Sequence, residues 1–390
     1  MRVRHLERAS ALPADSWDAL FPASYPFTRH AFVVALEEHG CVGPEIGWSP
    51  CHTVLSDDEG IAAIAPMYAK GHSYGEFVFD FAWADASRRI GRPYYPKLIN
   101  AIPFTPCSGP RLGARDDAAR RQLAARLPSV AKASGLSGFH ALFLDEADFA
   151  AYRDAGMVER NDVQFHWYNA PATDGRAGYA DFAAFVATFT SDKRKKILRE
   201  RRRVAEAGIR FEVRPGDALS EAEWHRVYAL YANTYAERGQ APYLTTEFFL
   251  DYGRQPNTPV RLVLAWEGTT MVAVAITLEG GDTLYGRHWG AADHYHSLHF
   301  ETCYYQGIDY CIARGLRHFD AGAQGEHKLS RGFVPTITRS MHWLAEPRLF
   351  EAVADHLERE REYVGQREAL LDEHSPYKRV AGTTPAANDG

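Results

Sequence analysis

Val260-Arg-Leu-Val-Leu-Ala-Trp266, Met271-Val-Ala-Val-Ala-Ile-Thr-Leu-Glu279 and Thr283-Leu-Tyr-Gly-Arg-His-Trp-Gly290 read as three successive strands. Each is short, apolar and bounded by turn residues. Gly280-Gly281-Asp282 closes the last two into a hairpin. A helix follows over roughly Leu298–Arg314, stopped by Gly315, and Phe319 lies on a short strand. Working backward, Val163–Asn169 is a strand, and Gly178–Phe189 and Asp192–Glu206 are helical. Ile209–Arg214 is a strand, and Ser220 with Glu223 has capping-box spacing. Behind that cap Trp224, Val227, Tyr228, Tyr231 and Tyr235 form a helical stripe that faces a core. Working forward, Pro347 opens a long amphipathic helix with Phe350, Val353, Leu357, Val364 and Leu371 inward. This order predicts an α+β sheet fed by a hairpin. It does not fit a doubly wound dinucleotide fold. No G-x-G-x-x-G follows a strand and no G-x-x-x-x-G-K-[ST] occurs. Hydride transfer and P-loop hydrolysis lose their usual signatures.

The first half alternates in the same way. Thr28 is placed to cap a helix running to His39, with Gly40 as its stop. His52–Leu55, Ile61–Tyr68 and Glu76–Phe81 are predicted strands, and Lys97–Ile102 is a short strand inside a proline-rich loop. A helix carries Leu123, Leu127 and Val130, followed by a strand at Phe139–Leu144 and a short helix from Asp145. Ala170–Gly178 reads as a linker. The chain has 390 residues, 46% of them hydrophobic and 24% charged, as in a globular protein with a sizeable core. Net charge is −6, so an anionic partner must find a local patch. The first ten residues carry charge with no apolar run after them, and no stretch is apolar enough to span a bilayer. No membrane insertion is expected. Five cysteines without a C-x-x-C pair read as free thiols in a reducing cytoplasm, and no metal site is expected.

Separated motifs carry a resemblance. Tyr179-Ala-Asp-Phe-Ala-Ala-Phe-Val-Ala-Thr-Phe-Thr-Ser191 followed by Lys193-Arg-Lys-Lys-Ile-Leu-Arg199 resembles the S-x-x-R-x-x-I-x-R entry to the second domain of Fem-type proteins. Gly315-Leu-Arg-His-Phe-Asp-Ala-Gly-Ala-Gln-Gly-Glu-His-Lys-Leu-Ser-Arg-Gly-Phe333 resembles their G-x-x-x-F-D-x-G … K-x-G-F end. Glu76-Phe-Val-Phe-Asp80, Trp83-Ala, Tyr94-Tyr-Pro-Lys97 and Pro103-Phe-Thr-Pro106 add to it. Together they resemble the FemAB-like peptidoglycan biosynthesis/recognition family over nearly the whole chain. The resemblance implies two tandem GNAT-like (acyl-CoA N-acyltransferase) domains, residues 1–170 and 171–380, with a cleft between them; the tail 381–390, made of Ala, Thr, Pro, Asn, Asp and Gly, reads as disordered. It also implies an acyl donor as co-substrate, either acyl-CoA or aminoacyl-tRNA.

Acyl transfer to an amine needs a proton acceptor, donors for the nascent oxyanion, and a grip on the donor's phosphates. Arg287, His288 and Trp289 end one strand. His299 and Glu301 lie in the first turn of the next helix. His288, His299 and Glu301 are the first candidates for a base. Gln324-Gly-Glu-His-Lys328 offers a second group. Glu326 and His327 are possible bases, Gln324 and Lys328 are ligand contacts, and the family motif aligns with Lys328. Lys193–Arg203 holds eight basic residues against one acid, more positive charge than a helix carries without an anionic partner. Arg194 and Arg199 match the family motif and are the expected donor-phosphate contacts. Asp80, Trp83, Tyr94, Tyr95 and Lys97 mix aromatic faces with charge and suit the acceptor side of the cleft.

The reading is a cytoplasmic N-acyltransferase acting on a small-molecule or cell-envelope-precursor amine, with no DNA partner. Two alternatives stay open. One is tRNA-dependent aminoacyl transfer to a peptidoglycan precursor or small metabolite. The other is a non-catalytic module that recognises peptidoglycan fragments.

Overall fold

The computed structural model describes residues 1–169, 178–323 and 325–378. The Ala170–Gly178 linker, apart from Gly178, and the 381–390 tail therefore lie outside the described residues. The strands are β1 (Arg2–Leu6), β2 (Trp48–Pro50), β3 (His52–Asp57), β4 (Gly60–Ala65), β5 (Tyr68–Lys70), β6 (Lys97–Asn100), β7 (Gly113–Ala114), β8 (Gly138–Ala141), β9 (Val158–Tyr168), β10 (Ile209–Pro215), β11 (Val260–Glu267), β12 (Thr270–Gly280), β13 (Thr283–Ala291), β14 (His318–Asp320) and β15 (Val334–Leu344). Four of them form a small sheet, β1-β3-β4-β7. The other eleven form one continuous sheet, β10-β11-β12-β13-β14-β9-β15-β8-β6-β5-β2.

The two halves interlock in that sheet. β9, from the first half, lies between β14 and β15, and β15, from the second, pairs with β8. Along β9, Val163, Phe165 and Trp167 point into a core shared with Phe185, Tyr305 and Phe319. Successive side chains of a strand alternate between faces. Gln164 and His166 therefore lie on the opposite face, buried and polar. Thr338, Ser340 and His342 of β15 repeat that alternation.

The expected elements of the second half are present, including the capping box at Ser220 and Glu223. Trp224, Val227 and Tyr231 of the stripe are buried in the core beneath β11–β13. Two expectations are corrected, and one strand has no signal in the sequence. Thr28 does not cap the helix His30–Glu38. Its hydroxyl turns back to the Tyr25 carbonyl, and the helix begins after Arg29 without a side-chain cap. Glu76–Phe81 is not a strand. The side chains of Glu76 and Asp80 point inward to Lys97, and Phe81 starts the helix Phe81–Arg89. β15 carries no strand signal, because Pro335 and its row of Thr, Arg, Ser and His residues break the apolar pattern.

The hairpin β12–β13 is pressed against the helix Glu221–Ala236. A Cβ on Gly290 would stand 2.1 Å from the Leu230 carbonyl oxygen and 2.5 Å from the Tyr231 nitrogen. Backbone atoms cannot yield as a flexible side chain does, so Gly290→Ala should cost roughly 1–3 kcal/mol by overpacking. Urea unfolding should show the loss. The helix it displaces also fixes the end of β13, with Thr234 Oγ1 donating to the Trp289 carbonyl at 2.8 Å and Asn233 Nδ2 to the Ala291 carbonyl at 2.8 Å.

Candidate active site

β13 and β14 run parallel and pair only at Thr283–His318, Leu284–Phe319 and Tyr285–Asp320. Beyond Tyr285, β13 stays paired to β12 as far as Ala291, but no strand flanks its other edge among the described residues. A register shift in the β12–β13 ladder falls where the gap opens, between Ile276 and Thr277 opposite Gly286–His288. Such an irregularity bends a strand and re-aims its side chains. The gap holds a cavity of about 100 Å³ lined by Gly286, Arg287, His288, Trp289, His299, Cys303, Tyr304 and Ala321.

The helix opposite the gap has an unusual turn. Leu298–Phe300 and Gln306–Arg314 are α-helical, and Glu301–Tyr305 between them is a π-helical turn. That wider turn brings His299, Cys303 and Tyr304 to one side, and such turns recur at functional sites. Glu301 goes to the other side, where it accepts from Arg201 Nε at 3.1 Å and Gln306 Nε2 at 2.8 Å.

The sequence candidates therefore separate into groups. His288, Trp289 and His299 line the gap. Arg287 also lines it, and its guanidinium donates to the Phe104 carbonyl of the first half. His327 joins through Tyr304, whose hydroxyl is 2.9 Å from His327 Nε2. Lys328 is buried behind the gap and donates to the carbonyls of Ala321 at 2.9 Å and Gly322 at 2.6 Å, which fixes the chain leaving β14. Glu326 is exposed and paired with Arg367 at 2.7 Å. Gln324 lies outside the described residues. Arg194 is half-buried and Arg199 exposed on the helix Ser191–Glu206. That helix reaches the loop after β13, where Arg203 Nη1 is 3.1 Å from His296 Nε2.

Burial sets the protonation states. It pushes His299 down to about 4, with His327 adding to the effect, and drives His288 well below the ordinary imidazole range, helped by Arg287. Both rings are neutral at pH 7. Burial lowers Lys328 to about 8 against the opposing pull of Asp320. It raises the Tyr304 hydroxyl, which keeps its proton as a donor.

Asp80, Tyr94, Tyr95 and Lys97 form a separate cluster in the first half, with Trp83 beside it. Lys97 Nζ donates to Asp80 Oδ2 at 2.5 Å, Glu76 Oε2 at 2.7 Å and Ser73 Oγ at 2.9 Å. Burial alone would raise Asp80, but the Lys97 ammonium overrides it and holds the carboxyl at about 2. Burial lifts Glu76 to about 7 and drops neighbouring Lys70 to about 7. Trp83 packs edge-on to His342 at 4.9 Å.

Between the two groups lies a larger cavity, about 240 Å³, under the loop Phe77–Phe79 and against the helix Pro347–Glu373. Arg160, Asn161, Asp162, Gln164, Thr338 and Ser340 are among its lining residues. Phe77 (φ 61°) and Phe143 (φ 56°), also in its wall, hold left-handed backbone conformations. A bulky residue adopts that conformation at a cost, and such strain concentrates at functional sites. Ala323 lines this cavity and Ala321 lines the gap. The sequence reading missed this cavity and Tyr304. The period-2 polar rows Asp162/Gln164/His166 and Thr338/Ser340/His342 were its available signal. Among the described residues no group of His, Cys, Asp or Glu is arranged to hold a metal ion, and no helix is long and apolar enough to cross a membrane.

Comparison with solved structures places the fold. FemX matches with a TM-score of 0.51 at 10% identity, over 91% of this chain and 100% of that chain. The C-terminal domain of a protein named for lysylphosphatidylglycerol synthesis, from Agrobacterium fabrum, matches with a TM-score of 0.53 at 9% identity, over 88% of this chain and 94% of that one. A conserved protein of unknown function from Bacteroides thetaiotaomicron matches with a TM-score of 0.52 at 10% identity, over 88% and 100%. No curated protein matches. These likenesses show the fold alone, a mixed α+β architecture shared with FemX. The family model described as peptidoglycan biosynthesis/recognition matches residues 8–379, and the chain belongs to this FemAB-like family.

Proposed function

We propose that the protein is an N-acyltransferase that forms an amide by direct attack of an acceptor amine on an activated acyl donor. The observation that carries this reading is the edge of β13 left, among the described residues, without a strand partner beyond Tyr285. A carbonyl placed there meets backbone N–H groups fixed in position before the reaction begins. Donors preorganised in that way stabilise an oxyanion without reorganisation. The amine nitrogen bonds to the acyl carbon, and the bond from that carbon to the donor's sulfur or oxygen breaks. Tyr304 supplies the proton to the leaving atom, and His327, hydrogen-bonded to it, orients the hydroxyl. The acceptor, a small-molecule or cell-envelope-precursor amine, enters from the cavity under Phe77–Phe79 and reaches the gap past Gly322. Arg194, Arg199 and the rest of Lys193–Arg203 hold the phosphates of the donor. The protein works in the cytoplasm, where acyl-CoA and aminoacyl-tRNA are found.

Thermal unfolding with CoA and acetyl-CoA tests the donor. A ligand at about 100 times its Kd adds roughly 2.7 kcal/mol, an upward shift of a few degrees for a chain of this size. The shift is expected with wild type and should be lost in Arg194→Glu/Arg199→Glu. No shift at millimolar CoA moves the donor to aminoacyl-tRNA, which the eight cations of Lys193–Arg203 also suit. Its binding would weaken steeply with salt as phosphate counterions are displaced. Failure of both donors to bind overturns the reading and leaves a recognition module.

A further inference from the structure

One face of the long sheet carries a hydrogen-bonded chain that leads away from the cavity. Ser340 and His342 lie two residues apart on β15 and so share a face, and His342 is directly opposite His140 of β8. Ser340 Oγ is 2.9 Å from His342 Nε2, and His342 Nδ1 is 2.9 Å from His140 Nδ1. His140 Nε2 is 3.5 Å from the Tyr94 hydroxyl, which donates to Asp80 Oδ2 at 2.5 Å. Asp80 meets Lys97, and Lys97 meets Glu76. Ser340 lines the cavity, whereas His140, His342, Tyr94, Asp80, Lys97 and Glu76 are all buried. Packing alone does not call for an unbroken polar line through a protein interior, since each buried polar group costs stability if a link is missing.

We propose that Ser340, His342, His140, Tyr94 and Asp80 form a proton path that carries the acceptor amine's surplus proton from the cavity to the Lys97–Glu76 pair. The proposal rests on the reading of the cavity as the acceptor's entrance. An ammonium acceptor loses two protons on becoming an amide. One replaces the proton that Tyr304 gives to the leaving atom, and the other is surplus. The surplus proton passes to Ser340 Oγ as the serine proton moves to His342 Nε2. His342 releases its Nδ1 proton to His140 Nδ1, and His140 releases its Nε2 proton to Tyr94, which gives its own to Asp80. The Lys97 ammonium hands one proton to Glu76 Oε2 and takes the Asp80 proton in its place, and the Glu76 carboxyl passes its proton out through Lys70, 4.0 Å from Oε1, to the half-buried His72, 3.3 Å from Lys70 Nζ. Every link then has one donor and one acceptor only if resting His342 carries its proton on Nδ1 and His140 on Nε2.

The surrounding charges favour this arrangement. Lys97, Asp80 and Arg160 face His140; burial first, then Lys97, lowers it to about 3. His140, Arg160 and Lys97 face His342, which burial drives well below its ordinary range. Both rings are therefore neutral relays rather than stores of charge. Lys97, Asp80 and Lys70 face Glu76. Its Oε1 is buried without a hydrogen-bond partner among the described residues, so the carboxyl has room for a proton.

Two measurements test the path. The first is ¹⁵N NMR of histidine-labelled protein, which reads the tautomers whether or not a substrate is known. Neutral His342 with Nδ1–H and neutral His140 with Nε2–H are expected between pH 5 and 8. The opposite tautomer on either ring, or a protonated ring near pH 7, overturns the path. The second uses the acyl donor and amine that the protein turns over, comparing Ser340→Ala and Tyr94→Phe with wild type. Each should lower kcat at least about 10-fold at pH 7, within the range of proton-transfer catalysis. The loss should shrink once the pH is raised above the acceptor amine's own pKa, where that amine is already largely neutral. Equal losses at both pH values mean a structural role and overturn the proposal. Ser340→Ala removes only a hydroxyl at the cavity wall, so a folding defect in Tyr94→Phe does not remove the test. If no acyl transfer is found with either donor, the reading of the site fails by itself, and the tautomers still decide the path.

Discussion

Lys97→Met should be the most destabilising single substitution in the first half, at a cost of roughly 3–5 kcal/mol, the usual price of removing one partner from a buried ion pair. Lys97 is fully buried and its ammonium is the shared partner of Glu76, Asp80 and Ser73. Methionine keeps the bulk of the stem but leaves two carboxylates side by side in the interior. Burial works against charge on Lys97 itself, and only Glu76 and Asp80 hold its affinity for the proton up. The pH dependence gives the sign. In wild type, Asp80 titrates at about 2, below its ordinary 3.8, so its contribution is present above pH 3.8 and lost as pH falls through 2. Without Lys97 the carboxyls rise above their unfolded values, and the variant's stability is lost as pH rises. The gap between variant and wild type in urea unfolding should therefore be wider at pH 8 than at pH 5. Equal gaps would mean that packing, not charge, is what Lys97 supplies.

Tyr304→Phe should give the largest loss of activity with the fold kept. The ring packs edge-on to Phe333 at 5.4 Å and to His299 at 5.4 Å, and phenylalanine preserves both contacts. Only the hydroxyl and its bond to His327 disappear. Losing a positioned acid should lower kcat about 10²-fold or more, with KM for donor and acceptor little changed. The thermal midpoint should move little, because the lost bond is part-buried and its partner His327 reaches solvent. A fall in donor affinity with kcat intact would make Tyr304 a binding residue.

The second half was legible in the sequence because its signals are local. Gly280-Gly281-Asp282 fixes the hairpin, Ser220 and Glu223 cap a helix, and Gly315 ends one in the left-handed conformation (φ 68°). The family motifs pointed to the strand that ends at Asp320 and to Lys328 beyond it. Three other features depend on contacts distant in sequence. Glu76–Phe81 reads as a strand until Lys97, about twenty residues on, draws Glu76 and Asp80 inward. Glu301 has a position in the helix's first turn that suits a base, but its side chain pairs with Arg201, a hundred residues earlier, away from the gap. The exchange of β9 and β15 across the sheet has no local signature, and it creates both the cavity and the polar row beneath it. Tyr304 was hidden for a similar reason, since a tyrosine among helical aromatics reads as core until its hydroxyl is seen to meet His327.

The central claim is that the donor's carbonyl sits against the unpaired edge of β13. Amide hydrogen exchange of the full chain, with and without a saturating donor, tests it most directly. New protection at Gly286–Ala291, together with the Ser191–Glu206 helix, is the expected result. A donor that binds but leaves Gly286–Ala291 unchanged, with protection confined to another surface such as Ser73–Tyr95, would contradict the account.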